Sequence, residues 1–217
     1  MLPKAAVVVL HSQSKTISCW KCSEQTAPQI FCERCHSILD YRADSILSHF
    51  DILGVTERLV LDENELRNKF YELSKQLHPD RFAVSPAPAP QFALRWTTAL
   101  NRAYKTLKSK EDRTQYIIEK YLGHSSSAKK STIPSDLAET YFEIQDLLTE
   151  GQSEPLLSFK KELEKKLAES DEQWIVLANT FDETENKLAA TQALRDHQDR
   201  ERYLKSMLND LERKVSL

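Results

Sequence analysis

The sequence predicts an all-α chain: a helical hairpin, then a three-helix bundle, with a small four-cysteine metal knuckle in front. Three observations lead there. Glycine is scarce, with three in 217 residues, whereas Leu, Ala, Glu and Lys, the better helix formers, are abundant. Apolar residues recur at helical spacing through every long segment. All four cysteines fall in two CxxC pairs, Cys19/Cys22 and Cys32/Cys35. An apolar content of 40% is enough to build real cores.

In the hairpin, Ser48 to Val55 reads as a short first helix stopped by Gly54. Asp62 then stands at N-cap distance before a second helix, with Glu63 and Glu65 favourable to the dipole of its first turn. Its apolar stripe is Leu66, Phe70, Leu73 and Leu77. Pro79 lacks an N–H and biases His78 out of the α region, so the chain must turn there and lift an imidazole and the Asp80 carboxylate off the helix end. Ser85 to Pro90, with proline at every second position from Pro86, should keep the loop extended. A further stripe, Phe92, Trp96, Ala99, Leu100, Ala103 and Leu107, then begins a third helix antiparallel to the second. Glu111 to Leu122 reads as a last short helix, with Tyr116, Ile117 and Tyr121 available to pack. Arg67 and Lys75 lie off the apolar stripe of the second helix, where charge often does no more than meet solvent.

Residues 124–133, rich in Ser and Lys, read as a linker. Beyond it, residues 134–217 hold nineteen acidic and eleven basic side chains in a chain of net charge −3. Three helices are expected: Ser135 to Glu150, ended by Gly151; one from Pro155 carrying Phe159, Leu163, Leu167, Trp174, Leu177 and Phe181; and about Thr184 to Lys214, with Leu188, Leu204, Leu208 and Leu211. Short connections make them antiparallel neighbours in a three-helix bundle. In the first of them Leu137, Tyr141, Ile144 and Leu148 form the core stripe, while Ala138 and Phe142 stand aside from it. Phe142 falls beside Glu139, Glu143 and Asp146, an apolar spot edged by carboxylates, though a flank of the core would look the same.

The cysteine pairs, separated by nine residues, can set four thiolates around one Zn²⁺. The alternatives are a redox pair or two disulfides; a redox pair would need a strand-helix unit around one CxxC, and none is apparent. Four thiolates leave no open position, so the expected ion is structural, with His11 and His36 as bystanders. The short gap favours a hairpin-like knuckle. The boundaries that follow are 1–18 for an N-terminal tail, 19–43 for the knuckle, 44–123 for the hairpin domain, 124–133 for the linker and 134–217 for the bundle.

No run has the length of a membrane span, so a soluble chain is expected. The N-terminus lacks the cleavage pattern of a secretory signal and the arginines of a mitochondrial presequence. An acidic C-terminal half argues against nucleic acid. No glycine-rich phosphate loop is present, and the reading is of a protein that is not an enzyme.

Leu-His-Pro-Asp-Arg-Phe at 77–82, with Ala99 to Leu107 in the next helix, resembles a J-domain, the module of DnaJ-type co-chaperones. With the tetracysteine knuckle before it and an acidic three-helix bundle after it, the chain from about Cys19 onward is similar to the HscB or Jac-type co-chaperones. The resemblance implies that His78, Pro79 and Asp80, with the basic residues Arg67, Lys75 and Arg81, engage a DnaK-type chaperone, HscA in bacteria. Asp80 would pair with a chaperone arginine and favour the state that hydrolyses ATP. It further implies that the bundle binds the IscU-type iron–sulfur scaffold through Ala138, Glu139, Phe142, Glu143, Asp146 and Tyr203, although the family usually carries larger apolar residues at the first two positions. Bacterial cytoplasm is the expected location, with the mitochondrial matrix as alternative, and self-association is left open. Two other readings remain: a general J-domain co-chaperone with a different client on the bundle, against which stands the lack of a Gly-Phe-rich linker, and an enzyme or metal-dependent regulator built on the cysteines.

Overall fold

The computed structural model describes residues 16–41, 47–123, 134–150 and 153–215. The expected linker at 124–133, most of the N-terminal tail, His11 and Gly151 lie outside them. Two compact units emerge, one of Met1–Thr56 and Glu63–Lys105, the other of Glu57–Asp62 and Thr106–Leu217.

The first unit opens with a two-stranded antiparallel hairpin, β1 (Ile17–Ser18) and β2 (Gln25–Thr26), in which Ile17 faces Thr26. These strands, and a bridge between Phe31 and Ile38, qualify the all-α expectation: the chain is mostly helical with a small hairpin around the cysteines. α1 (His49–Leu53) is capped at both ends. Ser48 and Asp51 form a reciprocal capping box, and Gly54 closes the helix in the left-handed region at φ 64°. α2 (Glu63–Leu77) stops one residue before the His78-Pro79 peptide, as the proline requires. Pro79–Phe82 then forms a 3-10 turn instead of open loop. α3 (Ala89–Lys108) starts three residues ahead of the expected Phe92, because Pro90 fits a helix's first turn.

The apolar positions of α3 belong to two faces. Ala93, Leu100 and Leu107 are buried, and Tyr104, on that side of the helix, stacks on Phe70 of α2 with centroids 4.1 Å apart. Phe92 and Trp96 turn the other way and meet the knuckle, where Trp20 and Tyr41 receive them.

In the second unit α4 (Lys110–Leu122) packs on α7 (Lys187–Val215), which pairs along its length with α6 (Ser153–Glu183); α5 (Ser135–Glu150) contacts both α6 and α7. Leu137, Ile144, Leu148, Leu156, Leu163, Leu204, Met207 and Leu211 form the α5–α6–α7 core. Leu188 is not part of it and is 57% exposed. The buried stripe of α7 runs through Ala190, Leu194, His197, Leu204 and Leu211, a register that places Leu188 on the outer side of the first turn. His197 meets the Ser170 carbonyl at 2.9 Å and its hydroxyl at 3.0 Å, a polar pair inside the helix packing. The Glu57–Asp62 segment is fixed from three sides. Asp182, at the end of α6, accepts from Leu59 N at 2.7 Å and Val60 N at 3.0 Å; Arg113 Nε donates to Leu59 O at 2.9 Å; and Tyr121 Oη donates to Glu57 at 2.7 Å.

Candidate functional sites: the His-Pro-Asp tip, the cysteine cluster and the face of α5

The tip follows from a helix that must end. Its loop is fully presented: Asp80 has 90% and His78 58% of its side chain exposed. His78 caps the 3-10 turn, its Nδ1 accepting from Asp80 N at 3.3 Å, while Arg81 N donates to His78 O at 3.0 Å. The Asp80 carboxylate, 3.6 Å from the same nitrogen and turned to solvent, is available to an outside cation. The tip is rooted from α3, where Thr97 Oγ1 reaches the Leu77 carbonyl at 3.1 Å. Arg67, Lys75 and Arg81 are exposed, and among the described residues none of them pairs with an acidic group. A positive surface therefore flanks an outward carboxylate.

The four cysteines are drawn together by two equivalent turns. In each, the residue after the second cysteine takes a left-handed conformation, Ser23 at φ 61° and His36 at φ 55°, and donates its N–H to the carbonyl of the first cysteine. His36 thus serves the turn. All four ligand sulfurs lie within 4.8 Å of one another, with Cys19–Cys35 at 3.6 Å and Cys22–Cys32 at 3.7 Å, and all are free thiols. Ligands on a tetrahedral ion with bonds near 2.3 Å stand about 3.8 Å apart, so the set fits one such metal. Its charges favour a cation as well. Hydrogen bonds from the Ser37 side chain and backbone bring the Cys35 thiol down to about 6. Cys22 has a backbone hydrogen bond from Glu24 that favours its thiolate, yet burial and the three neighbouring sulfurs outweigh it and push the group up to about 12. Four sulfurs so close cannot all ionise without a positive charge among them. The cluster can bind a metal ion.

On α5, Phe142 is 60% exposed, with its ring edge-on to Tyr141 at 5.7 Å, and Tyr141 packs on the core. Glu139, Glu143 and Asp146 are exposed around it and Ala138 is half-buried. Tyr203, on α7, lies partly buried against the same core. The sequence places Trp96 in the hairpin core and singles out neither Thr97 nor Asp40, whereas the structure joins Trp96 to Leu39, Thr97 to Leu77 and Asp40 to Arg95. For Trp96 the signal is a second apolar stripe on α3, one residue out of phase with the first; Thr97 and Asp40 carry none.

The DnaJ domain family matches residues 48–116. Over 151 residues the chain is 26% identical to the co-chaperone protein HscB homolog of Aromatoleum aromaticum, covering 67% of this chain and 83% of that one. The chain belongs to the HscB type of J-domain co-chaperone. The iron–sulfur cluster co-chaperone protein HscB homolog of Arabidopsis thaliana is 25% identical to this HscB-type chain over 158 residues, 72% of this chain and 61% of that one. The crystal structure of human co-chaperone protein HscB shares its fold, with a TM-score of 0.65 and 19% identity over 93% of this chain and all of the human one. A J-domain implies a DnaK-type chaperone as partner, and HscB co-chaperones catalyse no reaction themselves. Among the described residues no helix is long and apolar enough to cross a membrane.

Proposed function

We infer that this HscB-type co-chaperone of iron–sulfur cluster assembly is an adaptor with two working faces. The first is the tip, where His78 and Pro79 set the angle at which Asp80 pairs with an arginine of a DnaK/HscA-type chaperone, while Arg67, Lys75 and Arg81 steer an acidic chaperone surface onto α2. The second is the face of α5, where Phe142 anchors an IscU-type scaffold within a rim of Glu139, Glu143 and Asp146, with Ala138 beside it and Tyr203 on α7 as the second aromatic contact. Holding scaffold and chaperone in one complex raises the local concentration of client at the chaperone's peptide groove. The chaperone hydrolyses the ATP, and this chain biases it toward the state that does so. The observation that carries this reading is the outward Asp80 carboxylate beside an uncompensated basic face.

Cys19, Cys22, Cys32 and Cys35 would hold a structural Zn²⁺, which supplies folding energy to a segment too small to form its own core. We place the chain in the bacterial cytoplasm, in line with its bacterial relatives; cell fractionation separates this from the mitochondrial matrix. Measuring the ATPase rate of the cognate chaperone tests the whole assignment. Stimulation should be lost in Asp80→Asn with scaffold affinity kept, and the wild-type rate should rise further when scaffold is added. Stimulation indifferent to scaffold would favour a general J-domain co-chaperone with another client; undiminished stimulation by Asp80→Asn would sink the role given to the tip.

A further inference from the structure

We propose that the cysteine knuckle positions the His78-Pro79-Asp80 tip through two adjacent residues of α3, Trp96 and Thr97. The consequence for chaperone stimulation rests on the function proposed above; the coupling itself does not.

Leu77 ends α2, and its carbonyl is one of those that a helix leaves without an internal donor. Thr97 Oγ1 lies 3.1 Å from that carbonyl and 2.9 Å from Ala93 O in its own helix. The hydroxyl has one proton to divide between them, so the bond to Leu77 depends on how α3 is set. The residue after Leu77 is His78. The root of the tip is therefore held from α3.

One position earlier, about 100° round the same helix, Trp96 faces the knuckle. Its indole N–H donates to Leu39 O at 2.8 Å in a buried bond, and its ring lies 5.0 Å from that of Tyr41. Arg95 pairs with Asp40 at 2.6 Å. Three consecutive knuckle residues, Leu39 to Tyr41, thus grip the turn of α3 from which Thr97 reaches Leu77. Leu39 in turn shares a buried cluster with Cys19 and Cys32, and Cys32 N donates to Ser37 O at 2.9 Å. The place of Leu39 is set by closure of the cysteine site. When the site opens, the Trp96 N–H loses a buried partner, the turn loosens, and the Leu77 carbonyl loses its donor. Trp96 and Thr97 are positioning residues with no contact to the chaperone required.

The test uses the full-length, zinc-loaded, ¹⁵N-labelled protein and follows the backbone amides of Leu77, His78 and Asp80. Chelation should move these signals and speed Leu77 amide exchange about threefold to tenfold, the equilibrium worth of one hydrogen bond. Thr97→Val should produce the same change with zinc retained, as measured by dye-detected metal release, and chelation on top of it should add nothing at the tip. Thr97→Ser, which restores the hydroxyl, should restore the wild-type signals, whereas a merely structural role would follow side-chain volume. Chaperone stimulation should fall severalfold in parallel. The proposal is overturned if chelation collapses the knuckle signals and leaves the tip unmoved, or if the effects of chelation and Thr97→Val at the tip add. A loaded wild-type protein that fails to stimulate any DnaK-type chaperone would remove the co-chaperone reading and leave the coupling to be judged on its signals.

Discussion

Truncating Phe142 should separate binding from folding. A phenylalanine side chain offers roughly 200 Å². With Phe142 60% exposed, roughly 120 Å² of apolar surface remains for a partner to cover. At about 25 cal/mol per Å² that surface is worth about 3 kcal/mol when fully buried. Ordering and imperfect desolvation at an interface take back part of it, leaving about 2 kcal/mol, or roughly a 30-fold rise in Kd for Phe142→Ala. The folded chain loses less. Within it, among the described residues, the ring meets Tyr141 edge-on, a contact worth about 1 kcal/mol. Calorimetric titration with an IscU-type scaffold measures the first quantity and a urea melt the second. Glu143→Gln, at the rim, should act mainly on the association rate and its salt dependence. A Kd for Phe142→Ala within twofold of wild type, with folding intact, would refute the assignment of this face.

Three further outcomes follow from the fold. Asp182, with its side chain 1% exposed, satisfies two backbone N–H groups of the Glu57–Asp62 segment. Asp182→Ala should therefore cost about 3 kcal/mol in a urea melt and Asp182→Asn about half of that, since one oxygen remains to accept; a loss under about 0.5 kcal/mol for the alanine would contradict the role. Burial, then the charge of Arg102, lowers the pKa of His49 from its ordinary 6.5. The unfolded chain thus binds the proton more readily. The stability His49 contributes is intact above the unfolded pKa and is lost as pH falls below it, so the urea midpoint should drop on acidification and the drop should shrink in His49→Gln. Gly54→Ala meets open space, but φ is 64°, so the left-handed conformation alone should lower stability by about 1 kcal/mol.

What was legible in the sequence was local chemistry. Pro79 dictates the end of α2, Gly54 dictates the end of α1, and CxxC spacing brings four sulfurs together; each needs only residues within reach of one turn. Leu188 was misplaced because a single leucine near a helix start fits two registers, and only the packing of α7 on α6 selects one. Asp182 gave no signal at all. It lies about 120 residues from the amides it holds, and an acidic residue near a helix end is indistinguishable in sequence from a solvated one.

α3 shows the deeper reason. Periodicity reports that a face is covered and says nothing of what covers it. Phe92 and Trp96 have the spacing of a hairpin core, and a hairpin partner was the economical assignment. Yet one residue's offset, about 100°, separates the side of α3 that holds α2 from the side that holds the knuckle. Trp96 carries a polar atom that a purely apolar core would leave unsatisfied, and its N–H finds Leu39 O in the metal-binding segment. A tryptophan within a stripe otherwise made of Ala, Leu and Phe is thus a question about where an N–H goes. Here the answer joins a cysteine site to the helix that roots the tip, so a substitution that spares ring volume and removes only the donor, or only the Thr97 hydroxyl, probes that connection more cleanly than removal of any cysteine.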